Sequence, residues 1–122
     1  MGKEGNDMHE LGIVFYIIKA CEKAAQENNA KSIKEITLEV GEVSTIVPSY
    51  FKDCFSWAIK KNDLMKDCKL NLVVLEGISY CNDCKKTYRT TKYGKECPYC
   101  KGHNTYLVTG SEVNIRDIKI VQ

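Results

Sequence analysis

Two paired cysteine motifs constrain this chain more than any other feature. Cys81 and Cys84 form one C-x-x-C, twelve residues follow, and Cys97 and Cys100 form a second. Each pair can turn two sulfurs toward one point, so the four thiolates match the tetrahedral shell that a structural Zn²⁺ prefers. Two disulfides are the competing reading. No signal peptide or long apolar segment points to an oxidising compartment, and a cytoplasmic location is expected. A redox C-x-x-C opens a helix after a strand, whereas Lys85-Lys86 and Lys101-Gly102 read as tight turns after metal knuckles. Iron in a rubredoxin-like site shares the four-sulfur geometry and stays open as an alternative. Sulfur on all four positions leaves no place for a substrate or a water, which makes this metal structural.

The 122 residues suffice for one domain with a small insert, and zinc would stabilise the part that lacks a core of its own. A net charge of +2 with 28% charged residues does not advertise a nucleic-acid binder or a membrane protein. From Ser79 to Gly110 six Lys and Arg face Asp83 and Glu96, a formal +4 that four thiolates and one Zn²⁺ reduce to about +2. That is a weak basic face, usable for docking. Cys21, Cys54 and Cys68 each fall within an apolar pattern and read as small core residues in a reducing cytosol.

Along the chain, residues 1–7 are short and polar and read as a disordered extension. Leu11, Val14, Phe15, Ile18, Cys21 and Ala25 recur at helical steps, widened by Ile13 and Ile17, and Asn28-Asn29 supplies the stop. Ile33 to Val43 places Ile36, Leu38 and Val40 on one face of a half-buried strand closed by Gly41. Pro48 suits the first turn of a second helix, with Phe51, Cys54, Phe55 and Ala58 inward, Trp57 and Ile59 flanking, and an end near Asn62. Lys69 to Glu76 is apolar on both sides and reads as a strand covered on both faces. The last strand, Glu112 to Val121, changes phase near Arg116-Asp117. The expected class is α/β (α+β), a small two-layer domain of two helices on a three-stranded sheet with an inserted zinc ribbon. The α/β part would comprise residues 8–78 and 108–122, and the ribbon residues 79–107.

Only two histidines occur. His9 stands at the mouth of the first helix, where backbone N–H groups lack intrahelical partners. Imidazole with adjacent backbone nitrogens is a set suited to Ni(II) or Cu(II) rather than zinc. Asp7 and Glu10 have capping-box spacing, so Glu10 has a structural reading as well. His103 follows the second knuckle by three residues and reads as a ribbon surface residue, an outer partner of the zinc site, or a further nickel contact.

Met8-His9-Glu10 opening an amphipathic helix, Val40-Gly41-Glu42-Val43-Ser44 closing a strand, the four-cysteine ribbon, and Gly110-Ser111-Glu112 leading into Ile118-Lys119-Ile120 together resemble the hydrogenase nickel-incorporation family HypA/HybF. The resemblance runs from Met8 almost to the end of the chain. It implies a nickel metallochaperone of [NiFe]-hydrogenase maturation, serving urease in some members. The implied partners are a HypB-like GTPase and the hydrogenase large-subunit precursor, with dimers in some members. It further implies Ni²⁺ bound by the His9 imidazole and backbone nitrogens of Met8, His9 and Glu10, and Zn²⁺ on Cys81, Cys84, Cys97 and Cys100. In the family the methionine is ordinarily residue one and offers its α-amine; here seven residues precede it.

No activated nucleophile or phosphate-cradling glycine loop is present, so the chain reads as a metal-delivery protein rather than an enzyme. A zinc-ribbon module for nucleic acid or a transcription assembly is the alternative. Its support is the interleaving of Tyr80, Tyr88, Tyr93, Tyr99 and Tyr106 with lysines.

Overall fold

The computed structural model describes the chain from Gly2 to Gln122, with side chains from Glu10 onward. The first helix begins at Gly2, so residues 2–7, read as a disordered extension, are helical backbone, and His9 lies within the helix rather than at its mouth; the side chains of Met8 and His9 lie outside the described residues. The elements in order are α1 (Gly2–Glu27), β1 (Ser32–Gly41), α2 (Pro48–Ile59), β2 (Lys69–Leu75), β3 (Ile78–Cys81), β4 (Thr87–Arg89), α3 (Thr90–Tyr93), β5 (Thr105–Thr109) and β6 (Val113–Val121). One sheet has the order β2-β1-β6 and the other β4-β3-β5. Contacts divide the chain into two compact units, one of residues 1–38, 46–72 and 115–122, the other of residues 39–45 and 73–114.

The first unit is held by apolar burial. Val14, Ile17, Ile18, Cys21 and Ala25 of α1 meet Phe51, Cys54, Phe55 and Ile59 of α2 and Ile33, Ile36 and Leu38 of β1 in the buried set. Each large apolar side chain buried this way contributes roughly 1.5–3 kcal/mol. The helices run parallel, because Glu10 reaches Val47 at one end and Glu22 accepts from the Asn62 amide at the other. Helix α1 stops where expected: Asn29 takes a positive φ of 52° and Ala30 N–H returns to the Ala25 carbonyl at 2.9 Å. Pro48 occupies the first turn of α2.

Three expectations change. Strand β2 is not covered on both faces: it is an edge strand, none of its residues is fully buried, and Val74 is exposed. Phe15 turns outward instead of joining the buried stripe, and of the two residues flanking α2's stripe Ile59 is buried while Trp57 is exposed. Cys68 is only half-buried. Burial nonetheless pushes the Cys21 thiol up to about 12 and the Cys68 thiol up to about 11, so both stay protonated near neutral pH.

In the second unit three glycines let three segments meet. A Cβ on Gly41 would lie 2.0 Å from the Gly110 carbonyl oxygen, and one on Gly110, whose φ is 111°, would lie 2.5 Å from Gly77 Cα. Backbone hydrogen bonds stitch the junction: Gly41 N–H to Glu112, Val43 N–H to Gly110 and Glu42 N–H to Leu75. Glu42 is its polar anchor. Its carboxylate accepts the Gly77 N–H at 2.6 Å and two bonds from Arg89 Nη2 at 3.0 and 3.2 Å, while Arg89 Nη1 pairs with Glu76 at 2.9 Å. Glu112 likewise folds back on the Gly110 N–H at 2.6 Å.

The Gly77 N–H, then Arg89, hold the Glu42 carboxyl below its ordinary 4.5 against the opposing effect of desolvation. A depressed carboxyl contributes stability that is fully present above its unfolded-state value and is lost as pH falls through the folded one. Glu42→Gln is therefore expected to lower the urea midpoint near pH 6, and to flatten its decline between about pH 5 and pH 3 relative to the wild type. Parallel declines in the two proteins would contradict this role.

Candidate metal centre

The two knuckles are built alike. Lys85 N–H bonds to the Cys81 carbonyl and Lys101 N–H to the Cys97 carbonyl, each at 2.9 Å. Cys81 N–H closes on Lys86 and Cys97 N–H on Gly102, again at 2.9 Å. Lys85 and Lys101 take positive φ of 64° and 65°, which curls each chain tightly enough to aim its second sulfur back at the first. These are the tight turns expected after the knuckles. The first knuckle leaves β3, and both flank a small sheet in which β3 pairs antiparallel with β4 and β5.

The four Sγ atoms lie within 4.8 Å of one another. Cys81 and Cys100 are 3.6 Å apart and Cys84 and Cys97 3.5 Å. A disulfide would need about 2.05 Å, whereas Zn–S bonds of about 2.3 Å in a tetrahedron set the sulfurs roughly 3.8 Å apart. The cluster therefore suits a structural Zn²⁺. Without a cation, burial raises Cys97, but N–H groups of Cys100 and Tyr99 and the neighbouring thiols outweigh it and bring it to about 7. Burial, then the contact with Cys97, pushes Cys84 up to about 12. A divalent cation held by the four sulfurs would favour their ionisation together.

Packing around the sulfurs is sparse. Cys81, Tyr88 and Cys97 form the buried cluster, with Cys84 against it. The interleaved tyrosines serve the unit itself: Tyr88 donates to the Gly94 carbonyl at 2.9 Å and meets Tyr93 edge-on, Tyr80 packs on Tyr106, and Lys86 lies over the Tyr99 ring. His103 is exposed, its Nε2 turned to Glu96 at 3.4 Å, in keeping with a surface residue.

Glu10 departs from the capping-box reading. It is fully buried, within a helix whose bounds begin at Gly2, and its Oε2 accepts the N–H of Val47, the N-cap residue just before α2. No periodicity in the sequence signals this tie, because the two residues are 37 positions apart.

Elemental analysis of protein purified under reducing conditions is expected to find one zinc per chain. Cys84→Ser or Cys97→Ser should reduce it severalfold, and Cys21→Ser should leave it unchanged. Full zinc retention in the first two variants would contradict the four-sulfur site.

The family described as "Hydrogenase/urease nickel incorporation, metallochaperone, hypA" matches residues 8–120. The hydrogenase maturation factor HypA of Rhodopseudomonas palustris (strain TIE-1) is 28% identical over 113 residues, covering 93% of this chain and 99% of its own. HypA of Geobacter metallireducens is 27% identical over the same shares. The fold resembles the solution structure of the Ni metallochaperone HypA from Helicobacter pylori, with a TM-score of 0.70 and 24% identity over 92% of this chain and 97% of that one. A second HypA solution structure gives 0.73 and 27% over 93% and 97%. With a match that opens at Met8 and takes in both knuckles, the chain belongs to the HypA family of nickel-incorporating metallochaperones.

Proposed function

We propose that this chain binds Ni²⁺ through the His9 imidazole and backbone nitrogens of Met8, His9 and Glu10, and delivers it to the large-subunit precursor of a [NiFe]-hydrogenase. A HypB-like GTPase is the proposed partner in the transfer, and the cytoplasm its place. Urease is a second acceptor within the family's range. The observation that carries this reading is the family match from residue 8 onward. The zinc centre supports it by exclusion, since four sulfurs on one ion leave no exchangeable position for cargo. Cargo then needs another donor set, and imidazole with amide nitrogens suits nickel. The same set favours copper over nickel, so correct loading depends on the partner and on metal supply. The chain acts by binding and release rather than by catalysis.

In this division of labour the α/β part, residues 8–78 and 108–122, carries nickel and the ribbon, residues 79–107, is a docking arm. Glu10 contributes through its backbone nitrogen in this reading, and Oε2 of its buried carboxylate accepts the Val47 N–H. An α-amine, which titrates near about 8, frees its lone pair more easily than an amide.

Calorimetric titration of the zinc-loaded protein with Ni²⁺ tests the reading, in chains beginning at Met1 and at Met8. His9→Ala is expected to weaken binding by about a hundredfold or more in either chain, beyond the effect of losing an outer partner of a ligand. The chain beginning at Met8 should bind at least as tightly as the longer one. Binding that survives His9→Ala unchanged would refute the site.

A further inference from the structure

The small sheet of the ribbon leaves one edge open. In the order β4-β3-β5, strand β5 pairs with β3 alone. Among the described residues no other backbone bonds to Thr105–Thr109, so the outer N–H and C=O groups of β5 lack a strand partner. Sheet edges are ordinarily blunted by charge, proline or brevity. The opposite edge, β4, has three residues and ends in Arg89. Strand β5 has five, TYLVT, with neither charge nor proline. Tyr106 and Val108 are 54% and 53% exposed, and Leu107 between them is exposed as well. Three successive exposed apolar residues on an unpaired edge form a template for an added strand.

The chemistry beside the edge selects the occupant. A cleft of about 630 Å³ runs beside β5, lined by Thr105, Tyr106 and Leu107 of the strand and also by Ser79, Thr90 and Lys95. Ser79 is 3% exposed, and its hydroxyl lies 2.7 Å from that of Thr90. Two hydroxyls carry two hydrogens and their mutual bond uses one, so one O–H remains to donate. The carbonyls of Gly94 and Lys95 already accept from the hydroxyls of Tyr88 and Thr105. Lys95 has no acidic partner among the described residues, and no Asp or Glu lines the cleft. His103, also in the lining, is turned to Glu96. A hydroxyl donor and a free ammonium in a cleft with apolar walls complement a carboxylate. A second copy of β5 would bring none, because its five residues carry no charge. The fitting occupant is an extended segment in which an acidic residue alternates with apolar ones. Its period of two sets the acid beside Thr105 and Leu107, on the cleft side, and the apolar side chains beside Tyr106 and Val108.

We propose that the free edge of β5 binds an extended segment of a partner protein as a fourth strand, with an acidic side chain of that segment seated in the cleft at Lys95. The ribbon's role as a docking arm, on which this rests, then has a defined edge and a defined partner chemistry.

Residue-resolved amide NMR of the zinc-loaded full chain tests it. The probe is a blocked seven-residue peptide, Val-Thr-Val-Glu-Val-Thr-Val, beside the same peptide with Lys at its centre. The Glu peptide is expected to shift the amides of β5 saturably and to slow their exchange with solvent. The Lys peptide should bind about fivefold more weakly or worse, and Lys95→Glu should invert that preference. Zinc content checks that Lys95→Glu keeps the ribbon folded. Titration of the wild type with Ni²⁺ reads the nickel-carrier function separately, so either can fail without the other. No saturable shift at millimolar peptide, shifts confined to other surfaces, or a preference that Lys95→Glu leaves unchanged would overturn the proposal. So would concentration-dependent shifts of the β5 amides without peptide, which would put a second copy on this edge.

Discussion

Thiols crowded around one point have little reason to stay there unless a cation shares it. Here four Sγ atoms lie within 4.8 Å of one another, and the buried cluster beside them consists of Cys81, Tyr88 and Cys97. That is too little apolar surface to offset the entropy of ordering the knuckles and the short strands that flank them. Metal–thiolate bonds supply what burial does not, so in the ribbon binding free energy is folding free energy. The other unit has the opposite economy, with Phe51, Phe55, Leu38 and the aliphatic side of α1 removed from water.

The same contrast separates what each residue type is for. In the ribbon the polar groups are structural: Glu42 gathers Gly77 and Arg89, Glu112 returns to Gly110, and Lys85 and Lys101 hold the left-handed turns that aim the sulfurs. The glycines of Val40-Gly41-Glu42 and Gly110-Ser111-Glu112 are there for close approach, since a side chain on either would collide with backbone. These motifs mark a junction within the same compact unit as the knuckles. Glu10 belongs to the same group, a buried carboxylate that ties α1 to the start of α2. Its burial is only half compensated: Oε2 accepts the Val47 N–H at 3.4 Å, while Oε1 has no hydrogen-bond partner among the described residues.

Much of this was legible in the sequence. The helical stripe of α1, its stop at Asn28-Asn29, the start of α2 at Pro48, the alternation of β1 and the knuckle spacing are local signals, and each matches the observed element. The phase change in the last strand appears as consecutive exposed residues, Arg116 and Asp117. What escaped reading was set by tertiary placement. Val74 is apolar yet exposed because β2 lies at a sheet edge. Phe15 and Trp57 are aromatic yet turn outward, and hydrophobic period alone does not fix which rings a neighbouring element covers. Strands β3, β4 and β5 are short and rich in Tyr and Thr, so their pairing left no apolar alternation to detect. The compact unit around the ribbon also reaches beyond residues 79–107, because Glu42 and Gly77 pack with it.

The measurement closest to the central claim is amide hydrogen exchange, followed residue by residue, on the zinc-loaded protein and on the same protein after chelation under reducing conditions. Dependence of the ribbon on the ion predicts that amides of Cys81, Lys85, Cys97 and Lys101 lose most of their protection when zinc is removed, while those of Phe51, Phe55 and Leu38 keep theirs. Equal protection of the knuckle amides with and without zinc would contradict it.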